Sequence, residues 1–213
     1  MQLLATWEAR LPFKAAWDKA PDAGAQEDLR LMERVKTGDS EAFNALMRKY
    51  EKTVLNLIYR FTGDRESAHD LAQEVFLRIY RAAGRFEAKA KFFTYLYKVT
   101  LNLCRNARDK TRRRGTSLSL DQAPEEGRAF DLPDPSGSSE TQVQRGELAE
   151  AIRQAVMSLP EDQREVVLLQ RYQGLAYEEI AETLGLSVPA VKSRLHRAKL
   201  GLQKRLAAYL EDV

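Results

Sequence analysis

YEEIAETLGLSVPAVKSRLHRAK, residues 177–199, carries three residue types at the spacing of a helix-turn-helix. Ala181 is small enough to let two helices approach. Gly185, four residues on, takes the positive φ of a tight turn, and Val191, ten residues on, is β-branched and plugs the crossing. Ile180, Leu184, Leu186, Val188, Leu195 and Ala198 are expected to complete a buried seam. Ser187 is placed to cap the second helix, with Pro189 in its first turn. The other side of that helix presents Lys192, Ser193, His196, Arg197 and Lys199, and from Ala190 to Leu206 there are six Lys/Arg and no acid. Cations that neutralise phosphates, beside polar groups that read base edges, suit a recognition helix in the DNA major groove. A solvated basic helix in a helical hairpin has the same composition.

Upstream, Leu148, Ile152, Ala155 and Val156 predict a helix ending at Ser158-Leu159-Pro160, and Glu161 to Tyr172 predicts the next. Before these, GTSLSLDQAPEEGRAFDLPDPSGSS, residues 115–139, is rich in Pro, Gly and Ser and has no apolar stripe. It holds five acids against one base, Arg128, and follows the basic run RNARDKTRRR, residues 105–114. A flexible acidic linker between basic modules is expected.

The first half repeats the helical character. Asp39 and Ser40 offer an N-cap, and Phe43, Leu46, Met47, Tyr50, Val54, Leu57, Ile58 and Phe61 follow at helical spacing as far as Gly63. A second helix is expected from about Ser67 to Ala83. A third runs from about Lys91 to Arg112, with Phe92, Leu96, Val99, Leu103 and Ala107 inward. These three predict one helical bundle. Residues 1–26 have Leu4, Trp7 and Leu11 at near-helical spacing, then Pro12, and predict an extension, either a short helix or disordered.

Within the second helix, DLAQEVFLRIYR, residues 70–81, shows two faces. Leu71, Ala72, Val75, Phe76, Ile79 and Tyr80 make the expected buried stripe. Asp70, Gln73, Glu74 and Leu77 share another face. That second face is either solvated, with a Glu74–Arg78 pair at i,i+4, or an interface.

With 213 residues, 44% hydrophobic and 31% charged, the chain has room for one large domain or two small ones. Its net charge of +3 excludes nothing. A lone Cys104 excludes an intramolecular disulfide and a CxxC site, as suits a reducing compartment. No apolar run reaches the roughly 18 residues of a membrane span. The N-terminal MQLLATWEARLPFKAAWDK has acids where a signal peptide needs an apolar core, so a cytoplasmic chain is expected. An enzyme would have to use Glu178 and Glu179, or His69, Asp70 and Glu74. Adjacent carboxylates diverge on a helix, His69 has no second histidine near it, and no nucleophile–base–orienter set is visible. No catalytic residue, metal or cofactor is expected.

AFNALMRKYEKTVLNLIYRFTGDRESAHDLAQEVFLRIYRA and KFFTYLYKVTLNLCRNARDKTRRR resemble the second domain of bacterial sigma factors. LAYEEIAETLGLSVPAVKSRLHRAK resembles their fourth domain, and no third domain lies between. That layout resembles an extracytoplasmic-function (ECF) RNA polymerase sigma factor. The resemblance implies an all-α chain with two helical domains joined by the flexible acidic linker. The implied bounds are an extension at 1–26, domain 2 at 27–114, a linker at 115–144 and domain 4 at 145–213. It further implies a promoter-specificity subunit that binds core RNA polymerase and promoter DNA, with an anti-sigma factor as a further partner.

By the same resemblance, Asp70, Gln73, Glu74 and Leu77 dock on the β′ coiled coil of core polymerase, with the β subunit also engaged. The third helix is implied to open the promoter and capture −10 bases through Tyr95, Lys98, Asn102 and Arg105. Lys89 and Lys91 join them from the preceding loop, and aromatics among cations suit single-stranded DNA. Lys192, Ser193, Arg194, His196 and Arg197 are implied to meet the −35 element, with Arg194 on phosphate. Two departures stand out: RFEAKAK, residues 85–91, lacks the Gly-rich or Ser-rich stretch frequent in relatives, and Tyr95 is more often Trp. The preferred −10 base is left open. From the residues alone, Tyr95 against its own loop and a solvated Lys98 fit equally. The competing overall reading is a helix-turn-helix regulator whose N-terminal bundle dimerises or senses a ligand; it would bind a palindrome without polymerase. A 25-residue coil typically spans roughly 25–30 Å and reaches at most about 80–90 Å, enough to tether two modules on one promoter.

Overall fold

The computed structural model describes residues 24–87, 91–113 and 139–211. The expected extension up to residue 23, Lys89 and linker residues 115–138 lie outside the described residues. Four helices form the first domain: α1 (Ala25–Lys36), α2 (Ser40–Thr62), α3 (Glu66–Ala82) and α4 (Phe92–Arg113), with a 3-10 turn at Ala83–Arg85. The second has α5 (Ser139–Met157), α6 (Glu161–Val167) running into a π-helical turn (Leu168–Tyr172), α7 (Tyr177–Leu184) and α8 (Val188–Glu211). The described residues hold helices and turns and no strand, so the chain is all-α as expected. The first helix of the second domain begins at Ser139, inside the stretch expected to be linker.

The ends of these helices follow from local chemistry. Asp39 caps α2, its Oδ1 accepting the N–H groups of Glu41 at 2.9 Å and Ala42 at 3.1 Å. The Ala42 N–H and the Arg34 guanidinium together hold that carboxyl below its ordinary pKa. Gly63 closes α2 at φ 75°, and a Cβ there would sit 2.7 Å from the Met157 methyl of α5. The positive φ disfavours any side chain there, whereas the Met157 methyl is the free end of a flexible side chain and could move aside. Asp64 caps α3, accepting from the Glu66 and Ser67 N–H groups at 3.0 and 3.1 Å.

Met32, Leu46, Leu57, Ile58, Phe61, Val75, Ile79, Phe92 and Leu96 are buried in the first domain. Asp28 is buried with them, and its carboxylate accepts from Lys49 and the Tyr50 hydroxyl, which pins α1 to α2. A carboxylate is tolerated there because both partners reach it. In the second domain Ile152, Leu159, Leu168, Leu169, Ile180, Val191, Leu195, Ala198 and Leu206 line one interior.

Two expectations about the core need amending. Of the expected buried stripe of α3, Leu71 is only half-buried and Tyr80 is 45% exposed, with the Tyr80 ring tilted against Phe43 at 4.9 Å between centroids. Tyr80 lies at the edge of that stripe, where α2 covers only one side of the ring. In α4, Phe92, Leu96 and Leu103 are buried as expected, whereas Val99 and Ala107 are only half-buried. A second stripe, Phe93, Tyr97, Leu101 and Cys104, is buried as well. The reason is that α4 is covered twice, by α2 and α3 of its own bundle and by α7 of the second domain.

Candidate functional site

Three surfaces carry the residues singled out in the sequence. On α3, Asp70 and Gln73 are exposed, Leu77 is 41% exposed, and Glu74 is half-buried. Glu74 accepts from Arg78 at 2.7 Å, the i,i+4 pair expected of a solvated face. That pair leaves Leu77 unexplained. Leu77 and Tyr80 rim an apolar groove whose other wall is α2, through Phe43, Met47 and Leu55, with Phe76 beneath. The periodicity of α2 predicts Phe43 and Met47 as core, whereas both are only partly buried and form this wall. The signal was present: Phe43 and Met47 lie on the flank of the α2 stripe, as Tyr80 does on α3.

The helix-turn-helix forms as read, except that Leu184, Leu186 and Val188 of the expected buried seam are only half-buried. Gly185 takes φ 66° between α7 and α8, and Ser187 Oγ accepts the Ala190 N–H at 3.3 Å. Ile180, Ala181, Val191, Leu195 and Ala198 are buried at the crossing. Lys192, Ser193, His196 and Arg197 are exposed together on α8, and Lys199 is half-buried. The Lys192 ammonium also lies 5.7 Å from the Tyr177 ring centroid. Arg194 departs from that group: it is 25% exposed and turned back towards Asp162 at 3.6 Å.

On α4 the expected residues meet a different fate. Lys98 and Asn102 are exposed. Tyr95 is half-buried, its ring 5.6 Å from Phe86 in the preceding loop, and burial pushes its phenol up. Arg105 Nη1 donates to Asn102 Oδ1 at 2.7 Å. The rest of the Arg105 fork grips Glu165 of α6, Nε on one carboxylate oxygen and Nη2 on the other at 2.7 Å. Glu165 raises the Arg105 pKa by that hydrogen bond. Lys91 Nζ donates to Glu179 Oε1 at 2.9 Å, while Glu179 Oε2 caps the Ala176 N–H at 2.9 Å. Tyr97 Oη donates to Gln173 at 3.0 Å, and Arg108 stands 3.6 Å from Glu161. Glu161, Glu165 and Gln173 are not singled out by the sequence, and Glu179 enters there only as one of two divergent carboxylates. A carboxylate beside the apolar run of α6 was the available hint for Glu165, but its partner lies 60 residues away. Among the described residues no group of three or more His, Cys, Asp or Glu could hold a metal ion.

The sigma-70 region 2 model matches residues 46–114, and the sigma-70 region 4 model matches residues 149–202. The chain is 36% identical to the RNA polymerase sigma-H factor of Pseudomonas aeruginosa over 88% of this chain and 97% of that one. The chain belongs to the ECF RNA polymerase sigma factors. This sigma factor is also 35% identical to the ECF RNA polymerase sigma-E factor of Escherichia coli K12, over 84% of its own length and 94% of the relative's. Its fold matches that of CnrH, solved in complex with the cytosolic domain of CnrY, at TM-score 0.61, 22% identity, and 85% and 97% coverage. It likewise matches RpoE of Bartonella quintana, solved with the anti-sigma factor NepR, at TM-score 0.58, 23% identity, and 78% and 96% coverage. As a sigma factor, the chain binds core RNA polymerase and directs promoter recognition and transcription initiation. No described helix is long and apolar enough to cross a membrane.

Proposed function

We propose that the three surfaces divide the work of initiation. The α3 face, Asp70, Gln73, Glu74 and Leu77 with Tyr80 added, docks on the β′ coiled coil of core polymerase. The α4 face, Tyr95, Lys98, Asn102 and Arg105 with Lys91 and Lys89, captures single-stranded −10 DNA. The α8 face, Lys192, Ser193, His196 and Arg197, reads the −35 element, with Arg194 on phosphate once it leaves Asp162. The work is binding, not catalysis, and its setting is the cytoplasm, where polymerase and chromosome are. The solved complex of RpoE with the anti-sigma factor NepR supports an anti-sigma partner for this chain too.

The observation that carries the docking assignment is the pairing of exposed Leu77 and Tyr80 over an open apolar groove, rimmed by Gln73 and Glu51. An apolar centre in a polar rim is how protein–protein contacts are built. Charge reversal tests it. Asp70→Lys with Glu74→Lys leaves the buried stripe of α3 untouched, so helicity should persist. Reversing two interface charges should cost several kcal/mol of binding and abolish capture of core polymerase on the immobilised chain. Undiminished capture by the double variant would return the face to plain solvation.

A further inference from the structure

α1 carries none of the residues assigned to the three surfaces, yet one of its side chains reaches the segment that leads into α4. Lys36, in its last turn, donates from Nζ to the Phe86 carbonyl at 3.1 Å, across 50 residues of sequence. Phe86 stands just past the 3-10 turn at Ala83–Arg85, with extended backbone at φ −65° and ψ 130°. Its N–H closes that turn on Ala83 O at 3.0 Å, so both polar groups of the Phe86 backbone are held. Its buried ring meets Tyr95 at 5.6 Å and Phe92 at 6.4 Å between centroids. Phe86 therefore joins α1 to the Tyr95 ring. α1 is itself fixed on the bundle. Met32 and Val35 are buried, Asp28 binds Lys49 and Tyr50 of α2, and Arg34 pairs at 2.7 Å with Asp39, the α2 cap. A lysine on a helix so held keeps its ammonium within a short range, and its charge strengthens the bond to the carbonyl.

We propose that Lys36 is a positioning residue for −10 recognition. By holding the Phe86 carbonyl it sets the place of the Phe86 ring, and through it that of the Tyr95 ring on which a −10 base stacks. The inference rests on the assignment of α4 as the −10 reader. Lys36 acts through the protein and not on the DNA. Without its ammonium, water takes the carbonyl and the peptide after Phe86 is free to rotate. Tyr95 then loses its fixed neighbour, and a base received in a looser site is discriminated less well. Lys36 is exposed, so its replacement leaves the buried core of the bundle intact.

The test uses holoenzyme assembled with the full chain carrying Lys36→Met, which keeps an aliphatic stem and loses the donor. Lys36→Arg keeps a charged donor, and Arg30→Met removes the same charge from an exposed position of the same helix. Each holoenzyme transcribes a promoter library randomised at −10 and −35. Its binding to a fluorescein-labelled single strand of the preferred −10 sequence is titrated at several salt concentrations. Lys36→Met should cut the ratio of best to worst base at −10 by about 3–10-fold, part of what one base-edge contact supplies, and leave −35 preferences alone. Lys36→Arg should restore most of that ratio, and Arg30→Met should match wild type. The salt slope of strand binding should stay that of wild type, because a residue off the phosphates releases no counterion. An equal loss on all −10 sequences would overturn the inference by reducing Lys36 to general support of activity. An equal loss of discrimination from Arg30→Met would overturn it too, by reducing the effect to net charge. A slope lowered by about 0.7 would overturn it by putting Lys36 on a phosphate. Tyr95→Ala in the same library tells the two failures apart. If Lys36→Met and Tyr95→Ala both leave −10 preference unchanged, the fault lies in the assignment of α4; a shift from Tyr95→Ala alone confines it to Lys36.

Discussion

Arg164 is 2% exposed, and its guanidinium donates to Phe61 O of α2 at 2.8 Å, to Leu159 O at 3.0 Å and to Met157 O. Burial holds its pKa down to about 10, with repulsion from Arg108 adding to the effect. Arg164→Ala would strand these buried carbonyls, at a cost of about 2–5 kcal/mol, read as a lower midpoint in thermal unfolding. Cys104 is a second buried case. Its thiol is pushed up to about 12 from 9.0, first by burial and then by the Glu165 charge. The unfolded chain loses that proton near the ordinary value while the folded chain keeps it, so rising pH favours unfolding between the two values. Cys104→Ala should therefore flatten the fall of stability with alkalinity in denaturant titrations at pH 9–11. A slope equal to wild type would show that the thiol does not contribute. None of these partnerships was legible in the sequence. A stripe places a residue inward, but not against a carbonyl a hundred residues away.

At the scale of the element, α8 and α3 were legible because period and turn chemistry agree. Ala181, Gly185, Ser187 and Val191 each took the local role their type dictates. The exposed cations of α8 then yield a graded expectation. Lys192→Ala or Arg197→Ala should change base preference only at −35 positions in a promoter library, at about 1–3 kcal/mol per lost bidentate contact. Arg194→Ala should weaken all sequences alike and flatten the salt dependence, because a phosphate contact carries no sequence information. A uniform loss from all three would reduce α8 to an electrostatic surface. Elements covered by two neighbours were read least well. Tyr97, Leu101 and Cys104 of α4 are buried beyond the stripe that its own bundle requires, since α7 lies on its other side. Periodicity registers one buried face and has no means of announcing a second domain.

For the molecule as a whole, two motifs in order were enough to give the domain order and the family, whereas the boundary between the domains was invisible. Its polar contacts are single pairs, such as Lys91–Glu179, separated by 88 residues and without a local pattern. The central claim is that the exposed side of α4 holds a −10 base out of the stack, so that capture offsets a melting cost of a few kcal/mol. On that claim the ring of Tyr95, placed beside Phe86, is the part that matters, and Tyr95→Phe should melt promoters like wild type where Tyr95→Ala does not. Asn102 is the sharper probe: it is exposed, and its carbonyl is held by Arg105 at 2.7 Å. Permanganate footprinting of Asn102→Ala holoenzyme on a promoter should show weaker melting around −10, with the closed complex intact and activity restored on a pre-melted bubble. Wild-type footprints from Asn102→Ala and Tyr95→Ala combined would contradict the claim, and so would loss of the closed complex itself.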